Sequence, residues 1–194
     1  MRRKGEIDRT TKETDISLRL SLDGQGEADI STGIGFLNHM LTAFTVHSGF
    51  DLKISCKGDL DVDGHHTAED VGICLGQAFD KALTDNKDGI ARFGSFTLPM
   101  DEALARCTVD VCGRAFFVFD ADFRGPMIGD LDSQLVGEFW GAFAANARIT
   151  LHLTALYGEN DHHKCEAMFK AAAHALKAAV KLEGDRLLSS KGAL

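Results

Sequence analysis

The chain carries one five-residue pattern twice, and this internal repeat constrains the fold more than any other feature. The pattern His-His-x-x-Glu occurs at residues 65–69 and again at 162–166, an offset of 97 residues (162 − 65 and 166 − 69). An offset of 99 pairs His39 with Glu138 (138 − 39), and an offset of 89 pairs Glu13 with Glu102 (102 − 13). Offsets that drift only slightly along a chain indicate a duplicated unit with loops of different length.

Hydrophobic periodicity supports the duplication at the level of predicted elements. Alternating apolar residues predict strands, and apolar residues that recur every three or four positions predict helices. The predicted strands are 16–22, 52–56, 107–112, 116–119 and 149–153, and the predicted helices are 36–47, 67–85, 135–145 and 164–182. We expect the chain to open with the first of these strands. The predicted fold class is α+β, with two similar halves at residues 1–90 and 91–194, each a sheet with helices on one face.

Charge and cysteine content exclude several classes of protein. The formal net charge is −8, so a nucleic-acid partner is not expected. The five cysteines form no C-x-x-C pair, which favours free thiols in a reducing compartment over disulfides or a zinc finger. The first residues are charged, with no apolar stretch typical of a signal peptide, and no segment has the length of a membrane span. We therefore expect a cytoplasmic protein without a membrane partner.

The two His-His-x-x-Glu patterns stand at predicted helix starts, where their spacing has a geometric consequence. Neighbouring helical residues point about 100° apart around the axis, so adjacent imidazoles suit two different ions while the glutamate lies beside them. Four imidazoles and two carboxylates form a donor set that suits manganese, iron or zinc. A single His-His pair is usually a solvated helix start, but its presence in both copies favours metal binding. A buried polar network is the remaining alternative.

The other histidines differ in what their predicted positions indicate. His39 is a further candidate ligand on the first predicted helix, and Glu138 occupies the equivalent position in the second half. His47 ends the first predicted helix, where a capping role near the negative helix end and a role in the site both stay open. His152 is expected to be a packed or surface strand residue, and His174 a partly exposed residue of the last helix.

Several motifs resemble imidazoleglycerol-phosphate dehydratases, in the order and spacing of that family and over nearly the whole chain. They are Gly35–Leu41, Asp63–Asp70, Arg92–Gly94, Met100–Leu104, the segment from Asp161 to Ala171, and Ser189–Gly192. The resemblance implies two tandem halves of the ribosomal-protein-S5-domain-2-like type, a homo-oligomeric shell of 24 subunits, and two manganese ions in each site between subunits. It also implies removal of water from imidazole glycerol phosphate to give imidazole acetol phosphate in histidine biosynthesis, with the substrate imidazole bound to metal as imidazolate.

The resemblance also implies a metal-ligand set, residue by residue. The implied ligands are His39, His65, His66, Glu69, His162, His163 and Glu166. Many relatives have a further histidine where this chain has Glu138, so coordination by Glu138 stays open, although a carboxylate can bind manganese. We therefore expect one of the two ions to be retained more weakly.

Catalytic and phosphate-binding residues follow from the same resemblance. Glu13 matches a substrate-contacting glutamate and is the first candidate for acid–base catalysis, with Glu166 second and His47 and Asp101 in supporting roles. Which glutamate is acid and which is base stays open. The cations and hydroxyls that match the family's phosphate and substrate contacts are Arg92, Arg114, Lys170, Ser189, Ser190 and Lys191.

Two other functions would use the same ligands. A dinuclear metallohydrolase would activate water and release inorganic phosphate. A metal-storage or structural shell would only hold ions, and it would leave Arg92, Arg114 and the Ser-Ser-Lys tail without a purpose. The product formed from the substrate distinguishes the three.

Overall fold

The secondary-structure elements follow one another in two runs of the same order. The computed structural model describes residues 3–84 and 89–184. The first run is β1 (Lys4–Thr10), β2 (Thr14–Ser21), β3 (Ala28–Ser31), α1 (Gly35–Ser48), β4 (Asp51–Gly58) and α2 (His65–Leu83). The second run is β5 (Phe93–Met100), β6 (Ala103–Asp110), β7 (Phe116–Asp120), β8 (Met127–Ile128), β9 (Leu131–Asp132), α3 (Leu135–Ala147), β10 (Thr150–Tyr157) and α4 (Asp161–Ala179).

The two four-stranded sheets have the same topology. Their strand orders are β1-β2-β4-β3 and β5-β6-β10-β7. In each sheet the first three strands are antiparallel and the fourth runs parallel to its neighbour. The second half adds only the short hairpin β8-β9. The predicted α+β class with two similar halves is therefore confirmed, whereas the division at residues 90 and 91 stays a prediction.

The helices lie between the two sheets and share one core. Helix α2 packs on β1 and β2, α4 packs on β5 and β6, and the halves meet through the pairs α2–α3 and α1–α4. Trp140 of the second half contacts Phe44 of the first, with ring centroids 6.0 Å apart, and both side chains are fully buried. Burial of these apolar faces against each other makes a continuous core across both halves.

The expectation that the chain opens with the strand near residue 16 is wrong, because β1 precedes it. The inward-facing positions of β1 are Gly5, Ile7 and Arg9, so the strand lacks an alternating apolar pattern. A Cβ on Gly5 would lie 1.9 Å from the Ala78 oxygen of α2, which explains why this position has no side chain. Arg9 instead pairs with the buried carboxylate of Asp70.

Among the helices, the bounds of α2 and α4 differ most from the prediction. Helix α2 begins at His65 rather than Thr67, and α4 spans Asp161–Ala179 rather than 164–182. Asn160 caps the start of α4 with its side chain, and such a cap lies outside the hydrophobic period from which the start was predicted, whereas α2 begins after Gly64 without a side-chain cap. No helix in residues 3–84 and 89–184 is both long and apolar enough to cross a membrane.

Candidate functional site

The amino ends of all four helices lie at one end of the helical layer. Strands β3 and β4 are parallel and lead into α1 and α2, and β7 and β10 are parallel and lead into α3 and α4. Contacts between α1 and α4 at their first turns bring the ends of the two halves together. Helix amino ends carry partial positive charge, so this end stabilises ionised carboxylates.

Local hydrogen bonds fix where the two His-His pairs begin. Asp63 Oδ1 accepts a hydrogen bond from the His65 backbone N–H at 2.7 Å, and Asn160 Oδ1 accepts one from the His162 N–H at 2.9 Å. Asp63 and Asn160 are equivalent under the repeat offset of 97 (160 − 63). The duplicated sequence therefore places an oxygen acceptor for the first histidine N–H in both halves, although Asn160 is the N-cap of α4 and Gly64 is the N-cap of α2.

His39, His162 and Glu166 form a compact group of possible metal ligands. One ligand atom from each lies within 4.8 Å of the others. Glu166 Oε2 is 3.3 Å from His39 Nε2 and 3.1 Å from His162 Nε2, while Glu166 Oε1 is 2.6 Å from Lys170 Nζ. Burial raises the pKa of Glu166, but Lys170 and His162 outweigh it and hold that pKa below its usual value. Glu166 is thus an ionised carboxylate shared between α1 and α4.

The repeat-related group at α2 and α3 is more open. His65 Nε2 lies 3.8 Å from Glu69 Oε2, and both side chains are 45% exposed. Glu138 and His65 line one cleft of about 420 Å³ together with Asp63, Asp130 and Asp132. The structure thus places Glu138 beside the first His-His pair, as it places His39 beside the second.

The second histidine of each pair is held by other carboxylates. His66 Nδ1 lies 3.0 Å from Asp59, and its Nε2 lies 3.8 Å from Glu13 Oε1. His163 Nδ1 lies 2.7 Å from Glu102 Oε2, and its Nε2 lies 3.5 Å from Asp101 Oδ2. These carboxylates orient both imidazoles, as the partners of ligating histidines commonly do.

Sequence reasoning did not identify Asp59 and Glu102 as residues of the site. Hydrogen bonding to Asp59 raises the pKa of His66, and hydrogen bonding to Glu102 raises the pKa of His163. The backbone N–H of Asn160, followed by His163, lowers the pKa of Glu102 to about 2. The signal that could have identified Glu102 is its repeat partner Glu13.

A second line of polar residues continues along the contact between α1 and α4. His47 Nδ1 lies 3.1 Å from His174 Nε2. His174 stacks on Phe96 of β5, with centroids 4.4 Å apart and planes at 17°. The expectation that His174 is a partly exposed helix residue agrees with its half-buried side chain but did not anticipate this pairing. Its spacing of four from Lys170 and eight from Glu166 was the available signal.

Among the candidate phosphate-binding residues that the structure describes, Lys170 lies apart from the two arginines. Arg92 donates two hydrogen bonds to Asp110, from Nε at 2.7 Å and from Nη2 at 3.1 Å. Arg92 precedes β5, whereas Lys170 Nζ contacts Met100 Sδ at the other end of β5. The eight residues of β5 span roughly 23 Å. Arg114 is exposed in the turn after β6, and Ser189, Ser190 and Lys191 lie outside the described residues.

The available donors are nitrogen and oxygen rather than sulfur. All five cysteines are buried as free thiols. Burial raises the pKa of Cys56 and of Cys74 to about 11, so neither is a thiolate near neutral pH. Imidazoles with carboxylates suit divalent transition metals, so the residues present fit such an ion.

Comparisons with known proteins identify the family to which the chain is similar. Residues 32–176 match the family model for imidazoleglycerol-phosphate dehydratase. A relative of that name from Methanosarcina mazei is 55% identical over 99% of this chain and 100% of its own, and one from Caldicellulosiruptor saccharolyticus is 52% identical over 99% and 98%.

Two solved structures extend the comparison to the fold. The Staphylococcus aureus imidazoleglycerol-phosphate dehydratase has a TM-score of 0.83 at 41% identity, covering 92% of this chain and 99% of its own. The Pyrococcus furiosus structure, in complex with (S)-C348, has a TM-score of 0.83 at 38% identity, covering 97% and 100%. The fold and these matches define the class as dehydratases, which are lyases that remove water. Within that class, the chain belongs to the imidazoleglycerol-phosphate dehydratase family.

Proposed function

We propose that the chain removes water from imidazole glycerol phosphate to give imidazole acetol phosphate, using two divalent metal ions, manganese for preference, in each site. The observation that carries the metal assignment is the convergence of His39, His162 and Glu166 from two helices. The family membership carries the substrate assignment. The ions, when bound, would act as Lewis acids that hold the substrate imidazole as imidazolate.

The ligands divide between two pseudo-equivalent groups. His39, His162 and Glu166 would hold one ion, and His65, Glu69 and Glu138 would hold the other. Each group offers three side chains from one chain, which leaves coordination positions open for further ligands. His66 and His163 instead contact Asp59 and Glu102 through Nδ1, and we assign their Nε2 atoms to ions bound mainly by another copy.

The separation of the polar residues favours sites between subunits. Arg92 and Arg114 lie at the far end of β5 and β6 from the ligand groups. A substrate whose imidazole is bound at the helix amino ends cannot also reach these arginines in the same chain. A neighbouring copy would supply them, together with Ser189, Ser190 and Lys191, and a homo-oligomer of 24 subunits is the proposed assembly.

Carboxylates beside the imidazoles would transfer the protons. Glu13 lies 3.8 Å from His66 and its side chain is 52% exposed, so it is accessible to a bound substrate. Glu166 is the second candidate, because it is ionised and contacts the Lys170 ammonium. Asp101 lies beside His163, and His47 lies farther along α1; both would support rather than perform the transfer.

The product analysis tests the proposal directly. Metal-stripped protein is reloaded with manganese and incubated with imidazole glycerol phosphate, and acetol phosphate and free phosphate are measured separately. Metal-dependent formation of the ketone without phosphate release is expected. Free phosphate would indicate a metallohydrolase, and tight metal binding without turnover would indicate a storage protein. Either result would overturn the proposal.

A further inference from the structure

A pair of imidazoles spans the contact between α1 and α4. The His47 and His174 rings meet edge to face, with centroids 5.3 Å apart and planes at 71°, and their nearest ring nitrogens are 3.1 Å apart. Phe96 stacks on the face of His174. The His174 ring is therefore held on one face by an aromatic ring and at one nitrogen by His47.

This pair continues a line that begins at the candidate metal ligands. On α4, Glu166, Lys170 and His174 follow one another at intervals of one turn. On α1, His39 and His47 lie two turns apart, and they contact Glu166 and His174 respectively. His47 therefore lies on the same helix–helix contact as the ligand group. It stands opposite His174, which is one helical turn beyond Lys170.

We propose that His174 is a positioning residue that acts through His47 during the dehydration. The hydrogen bond occupies His47 Nδ1, fixes the ring orientation, and leaves Nε2 as the nitrogen available to substrate. Because a neutral imidazole has one N–H, the hydrogen bond also couples the tautomers of the two rings, since one ring must donate and the other accept. The proposal rests on the proposed function, in which His47 supports catalysis.

The surrounding charges keep this pair neutral. The ionisable groups of α4 near His47 are Lys170, His174 and Glu166, and Lys177 lies near His174. Burial, followed by Lys170 and His174, holds the pKa of His47 below its usual value despite Glu166. Burial and Lys177 do the same for His174. Two neutral rings can share one proton in a hydrogen bond, as the geometry requires.

The repeat provides an internal comparison for this pair. Asn146 on α3 and Gln77 on α2 occupy the equivalent positions (146 − 47 = 99 and 174 − 77 = 97). Gln77 Nε2 donates a hydrogen bond to Asn146 Oδ1 at 3.2 Å. Two amide side chains therefore suffice to form a hydrogen bond across the α2–α3 contact. The imidazoles in the α1–α4 contact add an orientable ring nitrogen that amides lack.

The experiment compares kcat and KM of full-length, metal-loaded variants for ketone formation. Wild-type turnover is measured first, since its absence would reject the proposed function and not the positioning role. His174→Ala should lower kcat by about 10- to 100-fold, the usual effect of losing an orienting partner, while KM stays within about twofold. Gln77→Ala removes the equivalent bond in the other contact and should leave kcat unchanged.

Two further comparisons keep the proposal falsifiable. His174→Gln can still reach His47 and should retain most of kcat, whereas the shorter His174→Asn should not; equal kcat values would overturn the proposal. The double variant His47→Ala/His174→Ala should be no slower than His47→Ala, because both changes act through one residue. Losses that multiply, or a wild-type kcat in His174→Ala, would also overturn it.

Discussion

The contact between α1 and α4 and the contact between α2 and α3 begin at the same repeated pattern and differ in charge. At three successive turns α4 carries a carboxylate, an ammonium group and an imidazole, which belong to Glu166, Lys170 and His174. The equivalent turns of α2 carry an acid and two uncharged residues, which are Glu69, Ile73 and Gln77. Both contacts therefore carry a possible metal ligand at the first of these turns, but only α4 carries ionisable groups at the next two.

The two contacts also differ in packing. A Cβ on Gly76 of α2 would lie 2.5 Å from the Phe143 oxygen and 2.8 Å from the Ala147 nitrogen of α3, so these helices touch through their backbones. The equivalent residue of α4 is Ala173 (173 − 76 = 97), which is buried. Helices α1 and α4 meet through larger side chains, including the two imidazoles. The α2–α3 contact is therefore a close backbone packing, whereas the α1–α4 contact is formed by side chains, two of which are imidazoles.

The largest difference between the contacts is expected from their glutamates. Glu166→Gln should lower kcat/KM by about 10³-fold, because Glu166 is buried and shared by three side chains. Glu69→Gln should lower it by about 10²-fold, because the Glu69 side chain is half exposed with one close partner. Steady-state kinetics with metal content measured in parallel would check this order, and equal losses would contradict the proposed asymmetry.

Close packing should make α2 more sensitive to added volume. Gly76→Ala should destabilise the protein by about 1–3 kcal/mol, because the methyl group meets helix backbone that cannot move cheaply. Ala173→Gly in α4 should cost about 1–2 kcal/mol, through helix propensity and the lost burial of one methyl group, but without backbone separation. Denaturant unfolding of both variants measures the difference. A Gly76→Ala variant as stable as wild type would show that α2 and α3 can separate.

Replacing Glu138 should make the two ligand groups more alike. Glu138→His would give the α2–α3 group the imidazole that His39 provides to the other group. We expect retention of the weaker ion to improve by on the order of tenfold in Kd, since imidazole binds divalent transition metals well. Manganese titration of both proteins would test this, and identical binding of both ions in each protein would show that the carboxylate is an equal ligand.

The smallest expected difference is in pH dependence. The pKa values of His47 and His174 are lowered in the folded protein, so below about pH 6.5 the unfolded chain binds more protons at these residues. Their contribution to stability is present above pH 6.5 and is lost as pH falls through the folded pKa values. The variant His47→Asn/His174→Gln, which copies the other contact, should show a smaller drop in Tm between pH 7.5 and 5.5. An unchanged drop would assign the acid sensitivity to other groups.

Much of the site could be predicted from the sequence because the repeat identifies equivalent positions. The two His-His-x-x-Glu patterns predicted helix starts with imidazoles and carboxylates, and the structure places them at the starts of α2 and α4. The repeat offset also paired His39 with Glu138, which stand at equivalent places beside the patterns. Their roles as ligands stay predictions.

Other features could not be read from local patterns. Strand β1 was missed because its inward positions are Gly5, Ile7 and Arg9, which do not form an apolar alternation. Gly5 packs against Ala78 and Arg9 pairs with Asp70, and both partners are distant in the sequence. His174 is half-buried, as expected for a partly exposed helix residue. Its helical spacing from Lys170 and Glu166 places it on their face of α4 but does not identify His47, 127 residues away, as its partner.

The sequence by itself determined the class of fold, the duplication and the residue types of the site, since hydrophobic period and repeat spacing are local properties of the chain. Only the tertiary structure decided which repeat meets which: His39 of the first half joins the pattern of the second half, and Glu138 joins the pattern of the first. The physical reason is that the halves bury their helices against each other, so each first-turn side chain finds its partners across the core rather than along its own half.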